Sequence, residues 1–281
     1  MPIEIFKDRS VLAITGSDAG NLLQGLVTAN IDKIEDNTVV PSALLTPQGK
    51  IAFDFLMGKL DDGYFFDMRS ALVDDFQKRM MLYKLRADVT IAPLEGWQPA
   101  AVWNETPNIS CAYRDERFKG DDDVARIYQS ADFDIESGKF DDFRIKNFVA
   151  ESDGDFEVND VFPHDVYLDL NGGIDFKKGC YVGQEVVSRM QHRSSARKRI
   201  ALIQSDGKAL ASGQDIIANG KPIGKMGTVS DHIGMAIIRV DRYFDAISAN
   251  HPVQVGDTDV TVTFPDWAKD AIEPYKGASQ P

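Results

Sequence analysis

Residues 177 to 193 read Lys177-Lys178-Gly179-Cys180-Tyr181-Val182-Gly183-Gln184-Glu185-Val186-Val187-Ser188-Arg189-Met190-Gln191-His192-Arg193. Two lysines precede a cysteine, two glycines flank it, and a run of helix-forming residues follows. A free thiol is mostly protonated at neutral pH. A neighbouring cation, or the unsatisfied N–H groups at a helix start, shifts it toward the reactive thiolate. Lys177, Lys178 and the helix expected from Gly183 onward offer both, and Gly179 and Gly183 let backbone approach a ligand with no Cβ in the way. Cys180 is therefore the first candidate for chemistry. The competing reading makes it a small buried hydrophobe and the glycines plain turns, because buried free cysteines are common. The other cysteine, Cys111, sits in an apparent strand with Arg114 as the one cation nearby in sequence, and is assigned to packing.

Outward from this stretch, the first hundred residues alternate strand and helix. Val11 to Ile14 reads as a strand, and Ser17 or Asp18 caps a helix carrying Ala19, Leu22, Leu23, Leu26 and Val27 on one face. Thr46-Pro47-Gln48-Gly49 suits a type I turn between antiparallel strands, and Asp61-Asp62-Gly63 suits a hairpin turn, because Asp-Gly takes positive φ angles. Ser70 caps a second helix with Leu72, Val73, Phe76 and Met80 inward, followed by a strand from Leu85 to Ile91. From about Ala101 the expected elements are short strands at Val102-Trp103 and Cys111-Ala112-Tyr113, an acidic loop from Gly120 to Asp123, a helix over Phe140 to Val149 and a turn at Asn171-Gly172-Gly173. Past Arg199 the pattern is all β, with a hairpin turn at Asn219-Gly220, and reads as a small barrel or sandwich. The chain is thus an α+β protein with an N-terminal unit over 1–100, a second α+β unit over 101–195 that carries the cysteine segment and is free to interleave with the first, and a C-terminal β-barrel over 196–281.

Composition removes several function classes. The 281 residues carry 31 Lys+Arg against 44 Asp+Glu, a formal charge of -13 and the wrong sign for general attraction to nucleic acid or anionic lipid. No stretch resembles a membrane span, and the opening residues are charged where a signal peptide needs an apolar run, so a cytoplasmic protein is expected. The two cysteines form no CxxC pair, and His164, His192, His232 and His251 show no HxH or HxxxH spacing, so no permanently bound metal is expected. An iron-sulfur cluster touched in passing takes one thiolate from this chain and its remaining ligands from a partner or a second subunit. Arg189, Arg193, Arg197, Lys198 and Arg199 put five cations in eleven residues of an acidic chain. They form either a docking patch for an anionic tail or partner, or an ordinary solvated face.

Lys178-Gly179-Cys180-Tyr181-Val182-Gly183-Gln184-Glu185 resembles the K-G-C-[FY]-x-G-Q-E signature of the YgfZ family, relatives of aminomethyltransferase, the T-protein of glycine cleavage. Further blocks resemble the family in the same order: Leu23-Gln24-Gly25-Leu26-Val27-Thr28, Leu44-Leu45-Thr46-Pro47-Gln48-Gly49-Lys50, Tyr83-Lys84-Leu85-Arg86-Ala87, Arg197-Lys198-Arg199 and Pro265-Asp266-Trp267-Ala268. The resemblance implies a T-protein-like multidomain fold, with two α+β units and a C-terminal barrel around a central cavity. It also implies a protein that binds tetrahydrofolate or another folate derivative and supports iron-sulfur cluster assembly or repair, its partners being iron-sulfur proteins or their assembly machinery. Cys180, with Lys178, is then the essential thiol beside the cavity opening. Tyr181, Gly179, Gly183, Gln184, Glu185, Arg144, Arg189 and Arg199 are the expected ligand contacts.

The chain departs from T-protein at two points. Lys146, in Arg144-Ile145-Lys146-Asn147-Phe148, stands where an acid holds the pterin, and a lysine cannot accept those hydrogen bonds. Either Glu151 or Asp165 replaces it from nearby, or this branch binds a different ligand. Phe53-Asp54 stands where T-protein has two adjacent acids, so Asp54 is the catalytic candidate if aminomethyl transfer is retained. Three readings follow: a folate-binding accessory factor working through Cys180, a folate-dependent aminomethyl transferase working through Asp54, and a non-catalytic scaffold that docks an acidic partner.

Overall fold

A computed structural model of the chain describes residues 2–104, 111–119, 124–128, 136–137, 139–193 and 196–276. The expected acidic loop from Gly120 to Asp123 lies outside these residues, as does the tail from 277 onward. The chain forms two compact units that exchange segments. The first joins Met1–Phe140 to Asn171–Gln184, and the second joins Asp141–Leu170 to Glu185–Pro281. This division differs from the expected boundaries at 100 and 195. Residues on both sides of position 100 share one body, and the cysteine segment returns to it after an excursion of some thirty residues into the other.

The first unit is built on a ten-stranded sheet. Its strands are β1 (Pro2–Ile5), β2 (Arg9–Thr15), β3 (Thr38–Leu45), β4 (Ile51–Leu60), β5 (Gly63–Arg69), β6 (Thr90–Pro93), β7 (Ala100–Trp103), β8 (Ala112–Asp115), β9 (Val124–Ile127) and β10 (Glu136–Ser137). Their spatial order is β10-β1-β7-β9-β8-β3-β4-β5-β2-β6. Alternation along β4 turns Phe53, Phe55 and Met57 into the main core. There they meet Leu23 of α1 (Ala19–Gln24) and Phe76 and Met80 of α2 (Val73–Lys84). Phe76 takes both Phe53 and Phe55 edge-on, at 5.4 and 5.6 Å between ring centroids.

Local chemistry departs from expectation in instructive ways. Asp18 precedes α1 without capping it, and its carboxylate instead accepts from the Asp88 N–H at 2.8 Å. Leu26 and Val27 lie past the end of α1 yet remain buried. At the Asp61-Asp62 turn the glycine serves close approach: a Cβ on Gly63 would stand 2.3 Å from the Ile14 carbonyl oxygen on β2. The strand expected from Leu85 begins only at Thr90, because the chain first makes a turn at Leu85.

The second unit carries α3 (Phe140–Lys146), all but its first residue, and a closed barrel. The barrel strands are β11 (Lys198–Ser205), β12 (Asp215–Ala218), β13 (Lys221–Ser230), β14 (Ile233–Arg239), β15 (Val253–Val255) and β16 (Thr258–Thr263), in the order β11-β14-β13-β12-β15-β16. Asn219 and Gly220, at φ of 49° and 66°, supply the left-handed pair that the β12–β13 hairpin requires. In sequence, α4 (Gln184–Arg193) follows the cysteine segment and precedes β11, and α5 (Val240–Ser248) lies between β14 and β15. The all-β reading of this region missed α5, which places Val240 and Ala246 inward and Asp241 in its first turn.

Candidate functional site

Three sequence blocks far apart in the chain meet within the first unit. The segment from Val27 to Lys33 forms the floor. Thr28 binds strand β3 through its backbone, its N–H donating to Ala43 O at 3.0 Å, and its Oγ1 accepts from the Ala43 N–H at 3.0 Å. The same hydroxyl donates to Gly173 O at 2.6 Å, and Thr28 O accepts from the Asp175 N–H at 3.0 Å. Asp175 in turn gathers donors: Asn30 Nδ2 at 3.0 Å, Lys33 Nζ at 2.7 Å and the Lys177 N–H at 2.7 Å. Burial pushes its carboxyl up, but these donors more than reverse that and hold it at about 2.

Lys178 points inward. Its Nζ donates to Val27 O at 2.8 Å and Ala29 O at 2.7 Å, and the ammonium lies 5.4 Å from the centre of the Tyr181 ring. The side chain therefore fastens the loop to the floor, and its donors go to two carbonyls. This corrects the expectation that Lys178 serves as the free cation beside the thiol; Lys177 is the exposed one. Tyr181 also turns in. Its ring is buried and its hydroxyl has no hydrogen-bond partner among the described residues, and burial, with the Asp175 charge, raises its pKa to about 12. Its ring packs on the chain's own lysine, in the place expected to offer a stacking surface for a ligand.

Between the two inward side chains, Cys180 is free and exposed. No atom lies within 4 Å of a Cβ built on Gly179, so that glycine opens onto space. Gly183 is the opposite case. Its φ is +80°, and a Cβ there would stand 2.6 Å from Thr46 O and 3.1 Å from Gly49 Cα, in the β3–β4 turn. That turn is itself closed by the Gly49 N–H donating to Thr46 O at 2.8 Å. Gly183 thus lets the chain touch its own turn, and α4 starts at the next residue, with Gln184 half-buried and Glu185 exposed. The result is a short loop, fastened at Asp175, Lys178, Tyr181 and Gly183, that presents one thiol to solvent. A soft, exposed sulfur of this kind suits a metal centre or another thiol brought by a partner.

The remaining expected contacts are dispersed. Asp54 lies on β4 opposite Ala43, half-buried, between Phe53 and Phe55 that enter the core. In the second unit, Arg189, Arg193, Arg197 and Lys198 are exposed, whereas Arg199 is buried on β11. Arg199 gives two hydrogen bonds to Asp169, at 2.8 and 3.0 Å, and one to His164 O, and stacks on Tyr167. Arg144 is buried too, donating to Asp155 at 2.5 Å, Thr228 at 2.7 Å and Asp141 at 2.6 Å. Burial alone would lower its pKa, and the surrounding carboxylates of Asp155, Glu151 and Asp141 raise it instead. Arg144 and Arg199, both expected as ligand contacts, are engaged in internal ion pairs. Lys146 is exposed, and the acid with the most altered acidity nearby is buried Asp165, pushed up to about 6 by its burial. Among the described residues no group of three or more His, Cys, Asp or Glu could hold a metal ion.

Residues that sequence reasoning missed are Thr28, Asn30 and Asp175, which shape the loop. The trace they leave is a polar Thr-Ala-Asn closing an apolar run after Val27, and an aspartate five positions before the cysteine.

The inward course of Lys178 has a pH consequence. Burial lowers its ammonium to about 8, against the pull of Asp175 and Asp32, while an unfolded lysine titrates near ~10.4. Between those values the unfolded chain binds more protons than the folded one, so the stability due to this group rises with pH. The neutral amine still has two N–H groups, enough for both carbonyls. The difference in unfolding free energy between the native chain and Lys178→Met is therefore expected to widen from about pH 7 to about pH 10 in urea titrations. A constant or narrowing difference would show that the lysine is not held as described.

Residues 197–270 match the family model of the CAF17 C-terminal beta-barrel domain. The chain is 29% identical over 221 residues to the mitochondrial iron-sulfur cluster assembly factor IBA57 homolog of Pyricularia oryzae, covering 69% of this chain and 55% of that protein's length. It is 25% identical to the mitochondrial iron-sulfur cluster assembly factor IBA57 of Mus musculus, over 92% of this chain and 83% of the relative. Both relatives are mitochondrial proteins by name, which overturns the expected cytoplasmic location. In fold, the chain superposes on the glycine cleavage system aminomethyltransferase T of Bartonella henselae with a TM-score of 0.69, at 11% identity, covering 94% of this chain and 85% of the other. A C-terminal barrel that matches the CAF17 model, relatives named as IBA57 and a fold like that of T-protein together support the resemblance to the YgfZ-like, T-protein-like family.

Proposed function

We propose that this protein is an accessory factor in iron-sulfur cluster assembly or repair, acting through the thiol of Cys180. The observation that carries the reading is the loop itself: Lys178 and Tyr181 turn inward while the free cysteine between them is exposed. The names of the relatives support the process. One thiolate cannot complete the ligand set of a cluster, so the cluster is cargo, and the partner that carries it supplies the other ligands. Replacing Cys180 by serine removes the soft ligand and leaves the loop's fastening untouched. Cells whose sole copy carries Cys180→Ser are expected to lose iron-sulfur enzyme activities to the level of a deletion strain, while the purified variant unfolds at the native urea midpoint. Normal enzyme activities in those cells would remove the proposal.

Tetrahydrofolate is the accompanying ligand proposal, supported by the T-protein fold. The residues first expected to hold it do not fit a T-protein-like folate set: Arg144 and Arg199 are committed to internal carboxylates, and Lys146 cannot accept from the pterin. The buried acids Glu151 and Asp165 are the acceptors first expected for paired N–H donors, and a cleft of about 500 Å³ in the second unit is lined by Lys198, Lys225, Arg239 and Arg242 together with Asp153, Asp155, Glu157 and Asp160, so it offers cations for a carboxylate tail beside acids of its own. Calorimetry with tetrahydrofolate tests this part separately. Saturable heat that is lost in Lys198→Glu with Lys225→Glu supports it, and absence of heat removes the folate without touching the thiol.

A further inference from the structure

Large hydrophobic side chains are exposed together at the end of α2: Met81 is 57%, Leu82 70% and Leu85 85% exposed. Spacing puts these three on one side of the helix and its exit, with Lys78 a turn before. The inward side is filled by Phe76 and Met80, so the outward leucines contribute nothing to the core.

The backbone at Leu85 makes the case stronger. Leu85 stands at φ 48°, ψ −106°, and the Ala87 N–H donates to Lys84 O at 2.8 Å. This is a type II′ turn with Leu85 at its first central position, the place that glycine fills by preference because a Cβ there is strained. A sequence shaped for stability alone would place glycine at 85. The chain instead holds a leucine in a strained conformation with its side chain in water, a combination that serves recognition better than folding.

Charge identifies what fits. From Phe76 to Ala87 the chain has Lys78, Arg79, Lys84 and Arg86 and no acid, within a protein of net charge -13. Arg79 and Arg86 are exposed, and neither they nor Lys84 has an ion-pair partner among the described residues. We infer that Met81, Leu82 and Leu85, ringed by Arg79, Lys84 and Arg86, form a docking surface for a protein partner whose own contact face is apolar and edged with carboxylates. The inference stands apart from the role of Cys180, since no residue of the cysteine loop takes part.

The first test is stability. Leu85→Gly relieves the strained turn and is expected to raise the unfolding midpoint of the full chain. A lowered midpoint would mean that the leucine is kept for the fold, and would overturn the argument. The second test is contact in the producing cells, with Leu82→p-benzoylphenylalanine as the photo-crosslinking probe and the same substitution at exposed Asp61 as control. The expected products are protein crosslinks whose mapped sites are apolar residues flanked by Asp or Glu. Their yield should fall about tenfold, equivalent to ~1.4 kcal/mol, when Arg79→Glu and Arg86→Glu are added, with circular dichroism unchanged. Crosslinks to phospholipid, a yield no greater than at position 61, or a yield indifferent to charge reversal would each overturn the proposal.

Discussion

Gly183→Ala is expected to destabilise the protein severely, whereas Gly179→Ala, four residues earlier in the same motif, is expected to be almost silent. At Gly183 two costs add: about 1–2 kcal/mol for a side chain in the left-handed region and about 1–3 kcal/mol for forcing a methyl against packed neighbours, together roughly 2–5 kcal/mol. The neighbours cannot step aside. The nearest atom is backbone, Thr46 O at 2.6 Å, followed by Leu45 Cβ at 3.0 Å and Gly49 Cα at 3.1 Å, all at a turn closed by its own hydrogen bonds. At Gly179 a Cβ meets nothing within 4 Å, and the change should stay within about 0.5 kcal/mol. Urea unfolding of the two purified variants measures the contrast. Equal effects would mean that the loop does not rest on the β3–β4 turn. The functional corollary is that Gly183→Ala, in whatever fraction folds, displaces the one turn that anchors the C-terminal side of Cys180.

The family blocks and the turn chemistry were legible in the sequence; the direction of individual side chains was not. Asn219-Gly220 announces its hairpin because two residues decide the backbone locally. Lys178 could not be read so, because its partners, Val27 O and Ala29 O, lie about 150 positions away. A lysine beside a cysteine looks like an activating cation until the fold shows two carbonyls in its path. The basic run from Arg189 to Arg199 misled for a different reason: charge is visible in sequence and exposure is not. Yet a trace existed. Along β11, Arg199 shares the inward period with Ala201 and Ile203, both in the barrel core, while Lys198 falls on the other face. Reading the strand's alternation through the charges separates the buried arginine from the exposed lysine. The return of Asn171–Gln184 to the first unit was beyond any local reading, because it is decided by Thr28, Asn30 and Lys33 gathering at Asp175.

Arg144 offers the sharpest test of that distinction between ligand contact and internal pair. Its guanidinium and the Asp155 carboxylate are both buried, and Asp155 also accepts from the Glu151 N–H at 2.8 Å and the Thr228 N–H at 3.0 Å, so one ion pair ties α3, the following loop and barrel strand β13 within the second unit. Removing one partner of a buried pair typically costs about 3–5 kcal/mol, because the other charge is left in a medium that cannot solvate it. Asp155→Asn is expected near the lower end, about 3 kcal/mol, since Asp141 and Glu151 still face the arginine and the amide oxygen still accepts. Arg144→Met should cost a similar amount by stranding the carboxylate, which keeps its two backbone donors. The double variant, with neither charge buried, should be more stable than the sum of the singles by about 0.5–3 kcal/mol. Urea titration of the four proteins closes the cycle. If Arg144 instead existed to hold a ligand, Arg144→Met would leave the unfolding midpoint of the free protein where it is, the coupling with Asp155 would vanish, and the loss would appear only in binding.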